Sequence, residues 1–277
     1  MSSLVKIRSE RDQMSAIERR IADFLLENAH LLRDYSSQQL ASALDISQSS
    51  VVKFSQKLGF KGYPDLKFSI GEALARTNGD VDAPTTNEEL ADEGMLWRLK
   101  HAAREETVLI NPRENLEAGI DVLVRASQVM LYGHGEDGLQ AAGFAARLAQ
   151  LGITAIAHSD PRLMLAGLAT LKRGDVLLVV SEHGAQPEVA QAGRIMHTGG
   201  GRLVSITRHT ANPIRAHADL ALLVSAHDGD PHLQALAYRT ALLHLLDLLF
   251  LGLWRERRSH RERYEQSRER LLELDGT

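Results

Sequence analysis

The chain is 277 residues long, with 44% hydrophobic and 25% charged residues, as in a globular protein with room for two modest cores. It has no cysteine, which excludes a disulfide framework, a zinc–thiolate site and a cysteine nucleophile and suits a reducing cytoplasm. The formal charge of −4, from 32 basic and 36 acidic residues, gives the whole molecule no bulk attraction for nucleic acid, so any such binding must be local. Residues 47–70 are locally basic, with Lys53, Lys57, Lys61 and Lys67 against Asp65 alone. The opening MSSLVKIRSERDQMS has no signal-peptide core, and no apolar run reaches the roughly 18 residues that cross a bilayer. The nearest, residues 241–254, carries His244 and Asp247. A cytoplasmic protein without a membrane partner is expected.

Ser15 and Glu18 have the spacing of a capping box and predict a first helix with Ile17, Ile21, Phe24 and Leu25 facing inward. Ser36 and Ser37 offer the cap of a short second helix marked by Leu40, Ala41 and Leu44. Ser47 caps a third, running through Val51, Val52, Phe54 and Leu58 until Gly59 stops it. Residues 77–92, polar and containing Gly79 and Pro84, read as a linker between a domain over 1–76 and a second over 93–277.

The second domain opens with helices near 95–109 and 115–126. Five apolar runs follow at 129–132, 153–157, 176–180, 203–206 and 220–224, with helical stretches at 139–151, 162–171, 187–197 and 213–217 between them. Near-continuous apolar strands separated by helices imply a parallel sheet covered on both faces. The fold class is therefore α/β: an all-α helix-turn-helix domain followed by a doubly wound, parallel five-stranded domain with its sheet core at about 129–224. A long helix over 231–254, apolar on more than one face, suits a core or a dimer contact. An Arg/Glu-rich tail follows and reads as a solvated helix.

In a helix-turn-helix, the start of the third helix meets base edges in the major groove. Packing Leu40, Ala41, Leu44, Ile46, Val51, Val52 and Leu58 inward leaves Gln48, Ser49, Ser50 and Lys53 outward, beside the capping Ser47. Gln pairs bidentately with adenine, Ser donates or accepts, and Lys53 reaches guanine or phosphate. Lys57 and Lys61 lie further along and suit phosphates. On pattern alone, the alternative is a three-helix bundle whose serines only cap.

Residues 1–76 resemble the N-terminal domain of the RpiR/MurR-type bacterial transcriptional regulators. The family's pattern is a Ser-rich turn, Val-Arg-Phe, then Lys-Leu-Gly-Phe-x-Gly-Phe/Tyr. Ser47, Val52-Lys53-Phe54, Lys57-Leu58-Gly59-Phe60 and Gly62-Tyr63 fill those places, with Lys53 standing for the usual Arg. Lysine keeps the charge without the two-pronged donor, which favours a phosphate contact over guanine there.

Ligands of a doubly wound sheet bind outside the carboxyl ends of its strands. The loops there are Gly133-His134-Gly135-Glu136-Asp137, Ser181-Glu182-His183-Gly184-Ala185-Gln186-Pro187-Glu188 and Thr207-Arg208-His209, and the helices they lead into offer amides to an anion. This region resembles the SIS (sugar isomerase) domain, whose serine-rich loops hold a phosphosugar. Gly133, Gly135, Ser181, Gly184 and Glu188 match the family's loops. Glu136 and Asp137 occupy its first serine loop, His183 replaces a serine and Gln186 a threonine. Two carboxylates at a helix N-terminus would compete with a phosphate for the same amides. His134, His158, His183 and His209 each follow a strand end and, with Glu136 and Asp137, form a conceivable metal set; the reading nevertheless assigns no metal and no cofactor.

The resemblance implies a DNA-binding regulator of a metabolic operon, acting as a homodimer or homotetramer on an inverted-repeat operator in double-stranded DNA. Its small-molecule effector would be a sugar phosphate or related acidic sugar. The alternatives are a sensor rebuilt for a metal or a non-phosphorylated ligand, and a sugar phosphate isomerase using Glu188 or a crevice histidine as base. A dedicated DNA-reading domain argues against an enzyme.

Overall fold

A computed structural model describes residues 3–28, 35–78, 88–225 and 231–275. Its contacts divide into two compact units, residues 1–102 with 209–211 and residues 103–208 with 212–277.

The first unit is built on five helices: α1 (Ser3–Glu10), α2 (Ala16–Glu27), α3 (Ser37–Ala43), α4 (Gln48–Lys57) and α5 (Tyr63–Asn78). Two more helices surround the motif than the sequence reading provided. One core joins them, with Ile7, Ile21, Leu25, Leu40, Val51, Phe54, Leu58, Leu66 and Ile70 buried. Ile7 comes from α1, whose eight residues carry too few apolar positions to show a period. Ile17 corrects the expected inward face of α2, because it is 45% exposed while Ile21 and Leu25 are fully buried.

Serines begin these helices as their spacing predicts. The Ser15 hydroxyl accepts the Glu18 amide at 3.4 Å, and the Glu18 carboxylate accepts the Ser15 amide at 2.7 Å. Ser36 and Gln39 repeat the exchange at 3.2 and 2.8 Å. Between α3 and α4 the chain turns through Asp45, at φ 49°. Ile46 N–H reaches back to Ala41 C=O at 3.0 Å and Asp45 N–H to Ser42 C=O at 3.2 Å. This is a Schellman closure with aspartate in the left-handed place that glycine usually fills. Gly59, at φ 82°, closes α4 in the same way, with Phe60 N–H on Ser55 C=O at 3.0 Å.

Helix α5 reaches Asn78 and α6 (Glu88–Ile110) begins at Glu88, so both enter the stretch read as a linker, whose residues 79–87 lie outside the described residues. After α7 (Arg113–Arg125) come β1 (Val129–Tyr132), α8 (Glu136–Gln150), β2 (Ala155–His158), α9 (Pro161–Gly167), β3 (Val176–Ser181), α10 (Pro187–Gly199), β4 (Arg202–Arg208), a 3-10 turn (Pro213–His217), β5 (Leu220–Val224), α11 (Pro231–Glu256) and α12 (Arg258–Asp275). The five strands are all parallel in the order β2-β1-β3-β4-β5. Every residue of β1 and β3 is buried, which is why both read as unbroken apolar runs. β2 starts two residues later than its pattern suggested and is an edge strand, with Ile156 exposed.

Helix α11 is long and apolar enough by length and composition to cross a membrane. Its apolar residues have another use: Ala237, Ala241, Leu242, Leu245, Leu246, Leu249 and Leu253 are buried, and the helix packs on α7, α8, β5 and α12. Helix α12 is largely exposed and carries the i,i+4 pair Arg258–Glu262 at 2.8 Å.

Candidate nucleic-acid interface and ligand crevice

Helix α4 separates its faces, with Ser50, expected outward, and Val52, expected inward, both half-buried between them. Val51, Phe54, Ser55 and the capping Leu58 are buried, whereas Ser47, Gln48, Ser49, Lys53, Gln56 and Lys57 are exposed. The Ser47 hydroxyl accepts the Ser50 amide at 3.2 Å and lies 2.8 Å from the hydroxyls of both Ser49 and Ser50. These three serines therefore form a cap network at the helix start. Gln48 Nε2 donates to the Ser37 hydroxyl at 2.9 Å, linking the start of α4 to the start of α3.

The lysines differ from one another. Lys57 Nζ donates to both oxygens of Glu18, at 3.0 and 2.9 Å, so its charge is engaged within the unit. This ammonium, with the Ser15 amide, holds the Glu18 carboxyl below its ordinary pKa. Lys61 joins the cap of α5 through its backbone, its N–H donating to Asp65 at 2.9 Å. The Lys53 and Lys61 side chains are exposed and make no ion pair among the described residues. Lys67 donates to the Tyr35 carbonyl at 3.0 Å.

In the second unit, the loops at the carboxyl ends of β1, β3 and β4 come together. Gly133 is required: a Cβ there would lie 2.6 Å from the Asp137 carbonyl oxygen, because the loop passes directly under the first turn of α8. Gly135 starts α8 at φ 58°, and no side chain caps that helix. Its two acidic residues turn elsewhere. Glu136 pairs with Arg239 of α11 at 2.9 Å, and Asp137 accepts the Glu182 amide at 2.8 Å. Each thus has a partner outside α8.

Burial first, then the nearby Glu182 and Glu136 carboxylates, raise the Asp137 pKa against the pull of the Glu182 amide and His183. Glu182 itself pairs with Arg208 at 2.6 Å, and the Arg208 guanidinium stands over the Tyr238 ring at 5.9 Å. The Ser181 hydroxyl donates to Gln186 at 2.5 Å and accepts the Gly184 amide at 3.0 Å, shaping the β3 loop. Helix α10 begins at Pro187 with Gln186 in the cap position, and its N-terminus also lacks a side-chain cap. Glu188, in its first turn, accepts from the Tyr132 hydroxyl at 2.5 Å.

His134 and His183 are exposed, His158 is half-buried and His209 is buried. Among the described residues, no group of three or more His, Asp or Glu side chains is gathered closely enough to hold a metal ion. The conceivable four-histidine set is thus not assembled.

A helix-turn-helix model described as that of the rpiR family matches residues 1–77, and a SIS domain model matches residues 122–252. The uncharacterized HTH-type transcriptional regulator YfhH of Escherichia coli K12 is 34% identical over 259 residues, 91% of this chain and 92% of that protein. The chain belongs to the rpiR family.

It is thus a DNA-binding transcription regulator with a SIS domain, and its parallel sheet is the SIS fold. A second relative, the uncharacterized HTH-type transcriptional regulator TTE0211 of Caldanaerobacter subterraneus subsp. tengcongensis, is 27% identical over 98% of this chain and 97% of its own length. Among solved structures, the Vibrio vulnificus NanR protein complexed with ManNAc-6P shares the fold across 98% of both chains, with a TM-score of 0.62 and 23% identity.

Several residues of this rpiR-family chain escaped the sequence reading. Ser37 was noted only as a cap, yet it holds Gln48. Tyr132, Tyr238 and Arg239 also support the crevice from β1 and α11, beside Arg208, which the β4 loop had already placed there. A lone tyrosine or arginine on a helix or strand carries no spacing signal, so these partners could not be found before the strand order was known.

Proposed function

We propose that the protein binds an inverted-repeat operator through the exposed start of α4 and that a small molecule in the SIS crevice changes its affinity for that operator. The observation that carries this reading is the division of α4: its apolar side builds the core while Gln48, Ser49 and Lys53 face outward at its N-terminal end. Base contacts come from Gln48, and Lys53 and Lys61 place positive charge against phosphates. Ser47, Ser49 and Ser50 order the helix start, where their hydroxyls accept or donate at close range. Lys57 is held on Glu18 and contributes to position rather than to direct contact. The DNA-binding domain spans residues 1–76, and residues 93–277 sense ligand and form the homodimer or homotetramer that an inverted repeat requires.

The effector is a sugar phosphate or related acidic sugar. Two helix N-termini without side-chain caps, those of α8 and α10, border the crevice and supply amides to an anion. The SIS relationship and the ManNAc-6P bound by the NanR structure support the same class. Gly133, His134, Gly135, Glu136, Asp137, Ser181, His183, Gly184, Gln186 and Glu188 surround the ligand, with His134 and His183 as its exposed donors. The protein acts in the cytoplasm as a regulator, without catalysis, on a metabolic operon.

Linkage makes the coupling reciprocal: if ligand changes operator affinity, operator changes ligand affinity by the same factor, typically about five- to 150-fold. The test is fluorescence anisotropy of the full chain on duplexes enriched from a random library, with ManNAc-6P and other sugar phosphates as probes. Enrichment of a palindrome, with a shift of about fivefold or more from one probe, is expected. No enriched sequence would overturn the DNA reading. Isomerisation of a probe, abolished by Glu188→Gln, would overturn the non-enzymatic one.

A further inference from the structure

A hydrogen bond joins Gln48, at the start of α4, to Ser37, at the start of α3. Gln48 is the first residue of α4, and its side chain is exposed. A glutamine amide has two N–H donors and one carbonyl acceptor. Ser37, at the first position of α3, takes one of those donors at 2.9 Å. One donor and one acceptor are left, and with Ser37 on the hydrogen that faces Cγ they stand side by side on a rigid plane. In the major groove, adenine presents N7 as an acceptor beside N6–H as a donor, the complement of that pair. Guanine presents two acceptors, N7 and O6, and would leave the glutamine carbonyl facing another oxygen.

Ser37 is itself well placed to hold this orientation. Its neighbour Ser36 is committed to the α3 capping box with Gln39, so the Ser37 hydroxyl is the one turned toward α4. Helices α3 and α4 are joined by the tight Asp45 turn and share the buried Leu40, Ala41 and Val51. The anchoring hydroxyl thus stands on a fixed support.

Building on the DNA-binding reading above, we infer that Ser37 is a positioning residue that holds Gln48 in the donor–acceptor orientation matching adenine, so that each half-site carries an adenine read by Gln48. Ser37 touches no base in this scheme. Its loss frees the glutamine to rotate and present either donors or acceptor, which lowers discrimination without changing the charge that meets the phosphates.

The experiment is selection from a random duplex library with the full-length wild-type chain, followed by anisotropy on the enriched duplex and on its three single-base variants at each position. The wild type should show one adenine position per half-site with a preference of about tenfold or more. Gln48→Ala should abolish that preference alone. Ser37→Ala should reduce it by roughly two- to tenfold, the range of one net hydrogen bond. Random-duplex affinity and the salt slope should stay at wild-type values, and Ser37→Thr, which keeps the hydroxyl, should restore the preference. A merely structural role for Ser37 would instead weaken random and selected duplexes alike, and that result overturns the inference. Undiminished adenine preference in Ser37→Ala, or a preferred base other than adenine at the Gln48-dependent position, also overturns it. If the wild type enriches no sequence, the DNA-binding reading falls first, so the two failures are distinguishable.

Discussion

The two units treat their helix ends in opposite ways. In the helical unit, α2, α3 and α4 are each capped by a serine that spends its hydroxyl on a backbone amide. In the α/β unit, α9 is capped by Asp160, whereas α7, α8 and α10 have no side-chain cap, the last two where they border the crevice. The difference teaches where backbone is left open: serines close the first turns of the helical unit, whereas the first amides of α8 and α10 are left to the anionic effector proposed above.

Core and surface of the same helix give the widest contrast. Phe54→Ala removes a fully buried ring and should destabilise the helical unit by about 3–5 kcal/mol, seen as a lowered urea midpoint and lost DNA binding. Its exposed neighbour sharpens the comparison: Lys53→Ala should leave stability within about 0.5 kcal/mol while weakening binding to every duplex and lowering the salt slope by about 1. Equal effects of the two substitutions on stability would break the division of α4 into two faces.

On the crevice side, Gly184 stands at φ 57°, and a Cβ there would lie 2.3 Å from the Asn212 Oδ1. Gly184→Ala should cost about 1–3 kcal/mol through strain and displacement of Asn212, which caps the 3-10 turn at Pro213–His217. It should reduce effector response while leaving effector-free DNA affinity intact. Next in size, Ser47→Ala removes the α4 cap and should cost about 1 kcal/mol in thermal stability. It should also weaken selective binding, because Ser49 and Ser50 lose their common partner.

The smallest expected effects come from protons, and their signs differ between the units. Glu18 and Asp23 are held below their ordinary values, mainly by Lys57 and Arg11 respectively. Their stabilisation is complete above the ordinary carboxylate range and is lost as pH falls through the lowered values. Asp137 is raised, chiefly by burial, so its folded form favours the proton and the ionised group costs stability as pH rises through its folded value. Asp137→Asn keeps an acceptor for the Glu182 amide and removes the charge. Thermal melts should show it slightly stabilised near neutral pH and unchanged in acid, with a sugar phosphate bound more tightly than by the wild type.

Much of the fold was readable because its periods are local. Serine caps, the stop at Gly59 and the five apolar runs each depend on residues within one turn or one strand. Helix α1 escaped because eight residues with few apolar positions carry no clear period, and Ile17 was misassigned because its apolar side chain sits in the first turn of α2, outside the core stripe. The α4 surface was equally readable, since an amphipathic helix fixes which residues face out. The crevice was only half legible. Its glycines and acids were visible in the loops, but partners that orient them lie far away in sequence, 45 residues for Asp137 and Glu182 and 103 for Glu136 and Arg239. The same holds for Lys57, whose attachment to Glu18 spans 39 residues.

The absence of cysteine allows one direct measurement of where α4 lies. A single Ser49→Cys substitution, carrying an iron chelate that cleaves nearby DNA, reports the groove reached by the start of α4 on the enriched duplex. The account predicts two cleavage centres related by the palindrome, about 34–36 Å or a multiple apart along the axis. Cleavage spread evenly along the duplex, or indistinguishable from that of a chelate at Arg113→Cys on α7, would contradict it.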